Sequence, residues 1–283
     1  MSKPQKAPTP TLAEQADRFV LYQKAVQSPE SDIEFYDQTY QQLRGKKPIV
    51  LREDFCGTAL LSVEWCKTDP QRRAIGVDLC EETLNWGREH NVMSAGADMA
   101  DRATLIHGNV LDAPQEKVDV TCAMNFSYCC FKTRDQLRGY FENARRGLKD
   151  DGLLVLDLIG GTETMDALEE EREVDDEDFT YIWDQDRFNP ITHEMSCYIH
   201  FAFEDDSRID RAFSYEWRVW GIPEIRELLE EAGFSKVRVY WEEFEDSDDD
   251  DDEEDELEGT GEYYEQTEVE NQESWICYIV AEV

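Results

Sequence analysis

The sequence has no apolar run approaching the roughly 20 residues that a membrane-spanning helix needs, so no membrane association is expected. Its opening residues, MSKPQKAPTP, lack the apolar stretch of a secretory signal and read as a disordered arm over 1–10. Basic residues are scarce: 28 Lys and Arg stand against 66 Asp and Glu in 283 residues, a net charge of −38. That balance leaves no phosphate-binding footprint and argues against nucleic acid as a partner. The eight cysteines contain no C-x-x-C pair, and no Cys/His group has ligand spacing. Neither a disulfide framework nor a metal site is therefore expected, and reduced thiols place the chain in the cytoplasm. Absent too is the G-x-G-x-x-G turn that seats a pyrophosphate on a helix N-terminus.

What is present begins with a hydrophobic content of 40%, enough for a sizeable core in one large domain or one domain with an insertion. The stretch Pro48 to Asp78 organises the rest. Ile49 to Leu51 is a short apolar strand, Cys56-Gly57-Thr58-Ala59 a turn, and Thr58 to Lys67 an amphipathic helix. Ala74 to Val77 is a second strand that ends at Asp78. A glycine after the first strand lets backbone approach a ligand closely, and an acid about 20 positions on can bind ribose hydroxyls. Glu53 and Asp54, just before the turn, repel a pyrophosphate and suit a ligand with a cationic end.

Here the sequence resembles the class I S-adenosylmethionine-dependent methyltransferases. Their first motif has the form D-x-G-C-G-T-G; this chain reads Glu53-Asp54-Phe55-Cys56-Gly57-Thr58-Ala59, with Phe55 and Ala59 in place of two glycines. The resemblance runs from about Pro48 to the C-terminus. It implies an α/β fold with a doubly wound, mostly parallel seven-stranded sheet, and S-adenosylmethionine as cofactor. The cofactor-binding residues it implies are Glu53, Phe55, Cys56, Gly57, Thr58, Asp78, Leu79, Asn109, Val110 and Asn125. Asn109 holds the position of an acid that takes the adenine amino group, and its amide oxygen can also accept. Asn125-Phe126-Ser127-Tyr128 follows the fourth strand and resembles the N-P-P-Y motif of amino-group methyltransferases, without its prolines. Asn125 and Tyr128 are accordingly the catalytic candidates.

Along the chain, helices are expected over Thr11–Gln27 and Asp32–Leu43, so that 11–47 covers the cofactor site as in the family. Leu79–Ser94 reads as a helix, Ala103–His107 and Val118–Met124 as strands, and Arg134–Leu148 as a helix. A turn at Asp150-Asp151-Gly152 precedes a fifth strand, Leu153–Ile159. The pattern then changes: Thr180 to Trp220 alternates apolar and polar residues and reads as an antiparallel insertion of three or four strands, a substrate lid within the 48–283 core. Tyr181, Trp183, Arg187, Arg218 and Tyr128 are its acceptor-pocket candidates; aromatic faces attract cations and arginine pairs with carboxylates. A helix over Ile222–Ala232 and two edge strands, Lys236–Trp241 and Ser274–Val283, complete the core. An acidic loop over 242–262, without Lys or Arg, joins those strands and reads as disordered.

Methyl transfer starts from an already activated sulfonium. Alignment and exclusion of water matter more than a catalytic dyad, and no dyad stands out. The expected activity is methyl transfer to a small-molecule acceptor. Two readings stay beside it: a protein side chain as acceptor, and a cofactor-binding scaffold without catalysis. The acceptor atom and the oligomeric state are not legible.

Overall fold

The computed structural model describes residues 9–113, 116–175, 177–245 and 258–283. The elements run α1 (Leu12–Gln15), α2 (Arg18–Val26), α3 (Pro29–Arg44), β1 (Val50–Asp54), α4 (Leu60–Thr68), β2 (Arg73–Asp78), α5 (Glu81–Gly87), α6 (Met99–Arg102), β3 (Ala103–His107), β4 (Val118–Ala123), α7 (Arg134–Gly147) and β5 (Leu148–Gly160). They continue as β6 (Leu168–Glu173), β7 (Phe179–Asn189), β8 (Glu194–Phe203), β9 (Arg208–Arg218), α8 (Ile222–Glu231), β10 (Lys236–Glu245), β11 (Glu258–Glu265) and β12 (Trp275–Glu282). The chain divides into two compact units: 9–27 with Met165–Trp217, and Ser28–Thr164 with Arg218–Val283. Among the described residues, no helix is long and apolar enough to cross a membrane.

The larger unit is built on one sheet of order β3-β2-β1-β4-β5-β12-β10-β11. Strands β1 to β5 are parallel, and β12, β10 and β11 each add antiparallel to the preceding neighbour. Every residue of β1 and β4 is buried, as parallel strands covered on both faces require. On one face, Ile33, Phe35, Tyr36 and Tyr40 of α3 pack with Leu51, Val120, Val155 and Tyr278. The expected seven strands are there, and an eighth, β11, joins the edge. Its formation corrects the expected acidic loop. Glu242–Glu245 belongs to β10 and Glu258–Glu262 to β11, while 246–257 lies outside the described residues. Tyr263 supplies the reason: its ring packs 4.6 Å from Tyr278 and its hydroxyl donates to Glu242. In the same strand Tyr264 pairs opposite Trp241, and such cross-strand aromatic pairs stabilise a sheet edge.

Other boundaries also move. The turn expected at Asp150–Gly152 is inside the long β5, where pairing with β4 skips from Leu148 to Leu153. The helix expected over Leu79–Ser94 is shorter, α5, followed by a π-helical turn over Arg88–Val92. The N-terminal helices expected as one layer separate. Helices α1 and α2 belong to the smaller unit and α3 to the larger. In the smaller unit, a four-stranded sheet of order β6-β7-β8-β9 packs against α2 through Leu21, Ala25, Phe179, Ile199 and Phe201. Strand β6, with four glutamates in six residues, was not legible as a strand.

Gly87 sets the distance between α5 and the turn after β1. A Cβ placed there would lie 2.3 Å from the carbonyl oxygen of Thr58, which also accepts from Asn91 Nδ2 at 2.8 Å. Gly87→Ala should lower stability by about 1–3 kcal/mol through overpacking, read as a fall in Tm. Gly139→Ala, where a Cβ meets nothing within 4 Å, should leave Tm unchanged or raise it. Equal effects of the two would show that the contact does not constrain the turn.

Candidate active site

The candidate site forms where β1, β2, β4 and β5 end. At the end of β1 the chain takes three left-handed residues in five: Phe55 (φ 61°), Gly57 (φ 54°) and Ala59 (φ 57°). Two are the positions where this sequence replaces the motif's glycines, and the backbone keeps the glycine conformation at both. A left-handed non-glycine residue costs about 1–2 kcal/mol, so packing must hold it. Ala59 is fully buried beside Cys56 and Leu84. The Phe55 ring lies 5.7 Å from Tyr140 and 6.0 Å from Phe131.

Asp78 closes the turn. Its carboxylate accepts from the Gly57 N–H at 2.8 Å and from the Cys80 N–H at 2.7 Å, one bond to each oxygen. Each oxygen keeps a further lone pair. The backbone N–H of Cys56 donates to Val77 and that of Gly108 to Asp78, so the loops after β1, β2 and β3 are tied together. A Cβ on Gly57 would meet only the Thr83 methyl, at 3.9 Å. Leu79 is exposed at 70%, beside Asp78. Asn109 caps the turn Val110–Asp112, with Oδ1 accepting from Leu111 N–H at 3.0 Å. One lone pair of that oxygen is thus taken by the turn, and one remains for the adenine contact expected of it.

Glu53 does not face the turn as an open carboxylate. It is buried in β1 and accepts from the Ser62 backbone and hydroxyl at the start of α4. Burial pushes its carboxyl up to about 8, against the opposing pull of Ser62. Asp54 faces the other way, into a buried pair with Arg52 at 2.8 Å and a hydrogen bond from Tyr140 at 3.1 Å. Cys56 is buried, and burial holds its thiol well above the ordinary range.

Past β4, Asn125 and Phe126 are again left-handed, at φ 54° and 56°. The Asp157 carboxylate holds them, accepting from Asn125 N–H at 2.6 Å and Phe126 N–H at 2.9 Å. Burial raises Asp157 to about 7. Asp32, in the first turn of α3, accepts from the Tyr278 hydroxyl at 2.8 Å and is raised by burial to about 6. Tyr128 is fully buried with its hydroxyl on the Asp157 carbonyl, so its side chain braces β5. Sequence reasoning missed Asp32 and Asp157. The signal for Asp157 was an acid inside the apolar run Leu153–Ile159.

The acceptor-pocket candidates do not come together in one unit. Arg218 and Tyr128 are in the larger unit; Tyr181, Trp183 and Arg187 are on β7 in the smaller. Arg218 pairs with Glu224 at 3.0 Å, donates to the Lys132 carbonyl and lies 3.7 Å over Trp220. It thereby fastens the start of α8. Arg187 donates to Ser196, and Trp183 packs 5.9 Å from Trp217. In the same sheet Glu169, Asp184 and His200 approach one another. The Arg211 N–H donates to His200 Nδ1, which leaves the ring proton on Nε2, facing Asp184 at 3.3 Å.

No family model and no curated protein matches the chain. Solved structures do. An S-adenosylmethionine-dependent methyltransferase from Clostridium acetobutylicum is 17% identical with a TM-score of 0.62, covering 94% of this chain and 97% of that one. An amino pentose methyltransferase from Micromonospora echinaspora, solved with S-adenosylmethionine bound, is 14% identical with a TM-score of 0.64, over 93% and 95%. A sugar N-methyltransferase from Streptoalloteichus is 15% identical with a TM-score of 0.61, over 94% and 92%. This likeness is one of fold: the chain has the class I S-adenosylmethionine-dependent methyltransferase fold.

The raised carboxyls predict a pH dependence. A folded state that holds Asp32, Glu53 and Asp157 protonated to about 6, 8 and 7 binds protons that the unfolded chain has released. Stability then falls as pH rises through that window. The Tm of the free protein should be lower at pH about 8.5 than at about 6, and Glu53→Gln should flatten the upper part of the slope. An unchanged slope in that variant would show that Glu53 does not titrate there.

Proposed function

We propose that the protein is an S-adenosylmethionine-dependent methyltransferase acting on a small-molecule acceptor. The observation that carries this is the Asp78 bridge. One carboxylate fixes the Gly57 N–H and the Cys80 N–H while keeping lone pairs for the two ribose hydroxyls. The remaining residues fit the same ligand. Gly57 leaves room for close backbone approach, since its Cβ would meet no protein backbone. Leu79 offers an apolar surface to the adenine, and Asn109 and Val110 flank it. Glu53, on the strand that leads into the turn, pairs with no lysine or arginine among the described residues, which suits a cofactor with a sulfonium and an ammonium. When bound, the cofactor supplies an activated methyl group; the chain's part is to hold it, orient the acceptor and exclude water. The solved structures of similar fold include enzymes described as acting on sugars, which favours a small-molecule acceptor over a protein one.

Asp78→Ala should weaken S-adenosylhomocysteine binding at least about tenfold in calorimetry, the scale of a lost charge-assisted contact. Gly57→Val should abolish binding, because the added side chain occupies the approach to the turn. Full affinity in both variants would exclude the turn as the cofactor loop.

A further inference from the structure

The sheet face that packs on α3 ends in three carboxylates. Glu53 is two residues beyond Leu51, and Asp157 two beyond Val155, so both share the face of those core residues. Asp32 stands over this face at the start of α3, and its charge acts on both Glu53 and Asp157. No Lys, Arg or His among the described residues pairs with any of the three. The wall around Asp32 is aromatic. Tyr278 stacks on Phe35 at 4.2 Å and meets Tyr263 at 4.6 Å. Tyr36 is 1% exposed, within the field of Asp32; its hydroxyl bonds to no nitrogen or oxygen of the described residues and faces the Cys122 thiol.

In their ionised form these acids exceed what the cofactor neutralises. S-adenosylmethionine brings a sulfonium, an ammonium and a carboxylate, a net single positive charge. Glu53, though held by Ser62, is the acid of the three whose charge acts on Cys56 in the turn, so the cofactor's positive charge is assigned mainly to it. Asp32 and Asp157 are left as neighbours of one tyrosine, Tyr278, which pairs with Asp157 across the sheet and donates to Asp32, in an aromatic setting where unneutralised charge is unfavourable. A second cation relieves it, and aromatic faces favour one.

Resting on the methyltransferase reading, we propose that the acceptor is an amine, held between Asp32 and Asp157 and deprotonated by Asp32. The two oxygens of Asp157 already hold the Asn125–Phe126 turn, so it supplies charge and position. Asp32 Oδ1 takes the Tyr278 hydroxyl, which leaves Oδ2 to take the ligand's proton. The ammonium gives a proton to Oδ2, and the N–H electrons remain on nitrogen. That pair forms the C–N bond as the C–S bond breaks, its electrons going to sulfur. The products are the N-methyl ammonium, S-adenosylhomocysteine and a proton passed from Asp32 to solvent. The raised carboxyl of Asp32, about 6, suits a group that both takes and returns a proton.

The test has two arms on the full chain. In the first, small primary amines, each paired with the alcohol of the same skeleton, are incubated with a trideuteromethyl donor and read by mass spectrometry. Label should appear on amines and not on their alcohols. In the second, the amine that is labelled is titrated calorimetrically into the S-adenosylhomocysteine complex. Asp32→Asn and Asp157→Asn should each weaken it at least about tenfold while changing S-adenosylhomocysteine affinity less than about threefold. Asp32→Asn replaces a carboxyl that burial already favours neutral, so it keeps the arm readable if Asp157→Asn fails to fold. Label on oxygen, sulfur or carbon alone, or no amine labelled while S-adenosylhomocysteine binds, overturns the amine assignment and leaves the methyltransferase reading standing. An equal loss of S-adenosylhomocysteine and amine affinity overturns it too, since the carboxylates would then serve the cofactor. Failure of S-adenosylhomocysteine to bind the unaltered protein sinks both.

Discussion

The site depends on one carboxylate bound to two backbone N–H groups. Asp78 ends β2, and its oxygens reach the turn after β1 and the turn after β2 at hydrogen-bonding distance. An ionised acceptor makes each bond roughly twice as strong as a neutral one. The register of β1 on β2, Asp54 beside Val77, brings Gly57 to that carboxylate. The conformation of the turn after β1 is therefore tied to strand pairing.

A second carboxylate repeats the device. Asp157, on β5, holds two successive left-handed residues after β4 as Asp78 holds the turn after β1. Both carboxylates sit where parallel strands end and loops must change direction with few partners. In each case a buried or half-buried acid stabilises backbone that would otherwise be strained. The left-handed Asn125 and Phe126 are held by Asp157 directly, and the left-handed Phe55 and Ala59 flank the Gly57 that Asp78 holds. Four left-handed non-glycine residues thus cluster after β1 and β4, the strand ends where the candidate site forms.

The order of strands and helices in the larger unit was legible because its buried strands are apolar runs bounded by turns. The Gly57–Asp78 spacing was legible because a left-handed turn position and an acid at a strand end are each suited by few residue types. Glu53 was read correctly as an acid before the turn, but its burial against Ser62 was not, since only the fold brings α4 back onto β1. Asp157 was hidden as one polar residue in an apolar strand, and Asp32 as one acid among many in an acidic helix. Strand β11 was hidden because acidic composition outweighed Tyr263. Arg218 looked like a ligand-binding arginine, yet the sequence that surrounds it, Trp220 and Glu224, contains its partners. Local composition could not reveal long-range partners, and that accounts for most of what the sequence left unread.

The central claim is that a preformed turn, bridged by Asp78, receives an adenosyl cofactor at the carboxyl ends of β1 and β2. Hydrogen exchange of the full chain with and without saturating S-adenosylhomocysteine tests it most directly. The account predicts slowed exchange in the peptides that carry Phe55–Ala59 and Asp78–Thr83, with the far edge strand β11 unchanged. Protection confined to other segments, with those two turns exchanging as in the free protein, would contradict it.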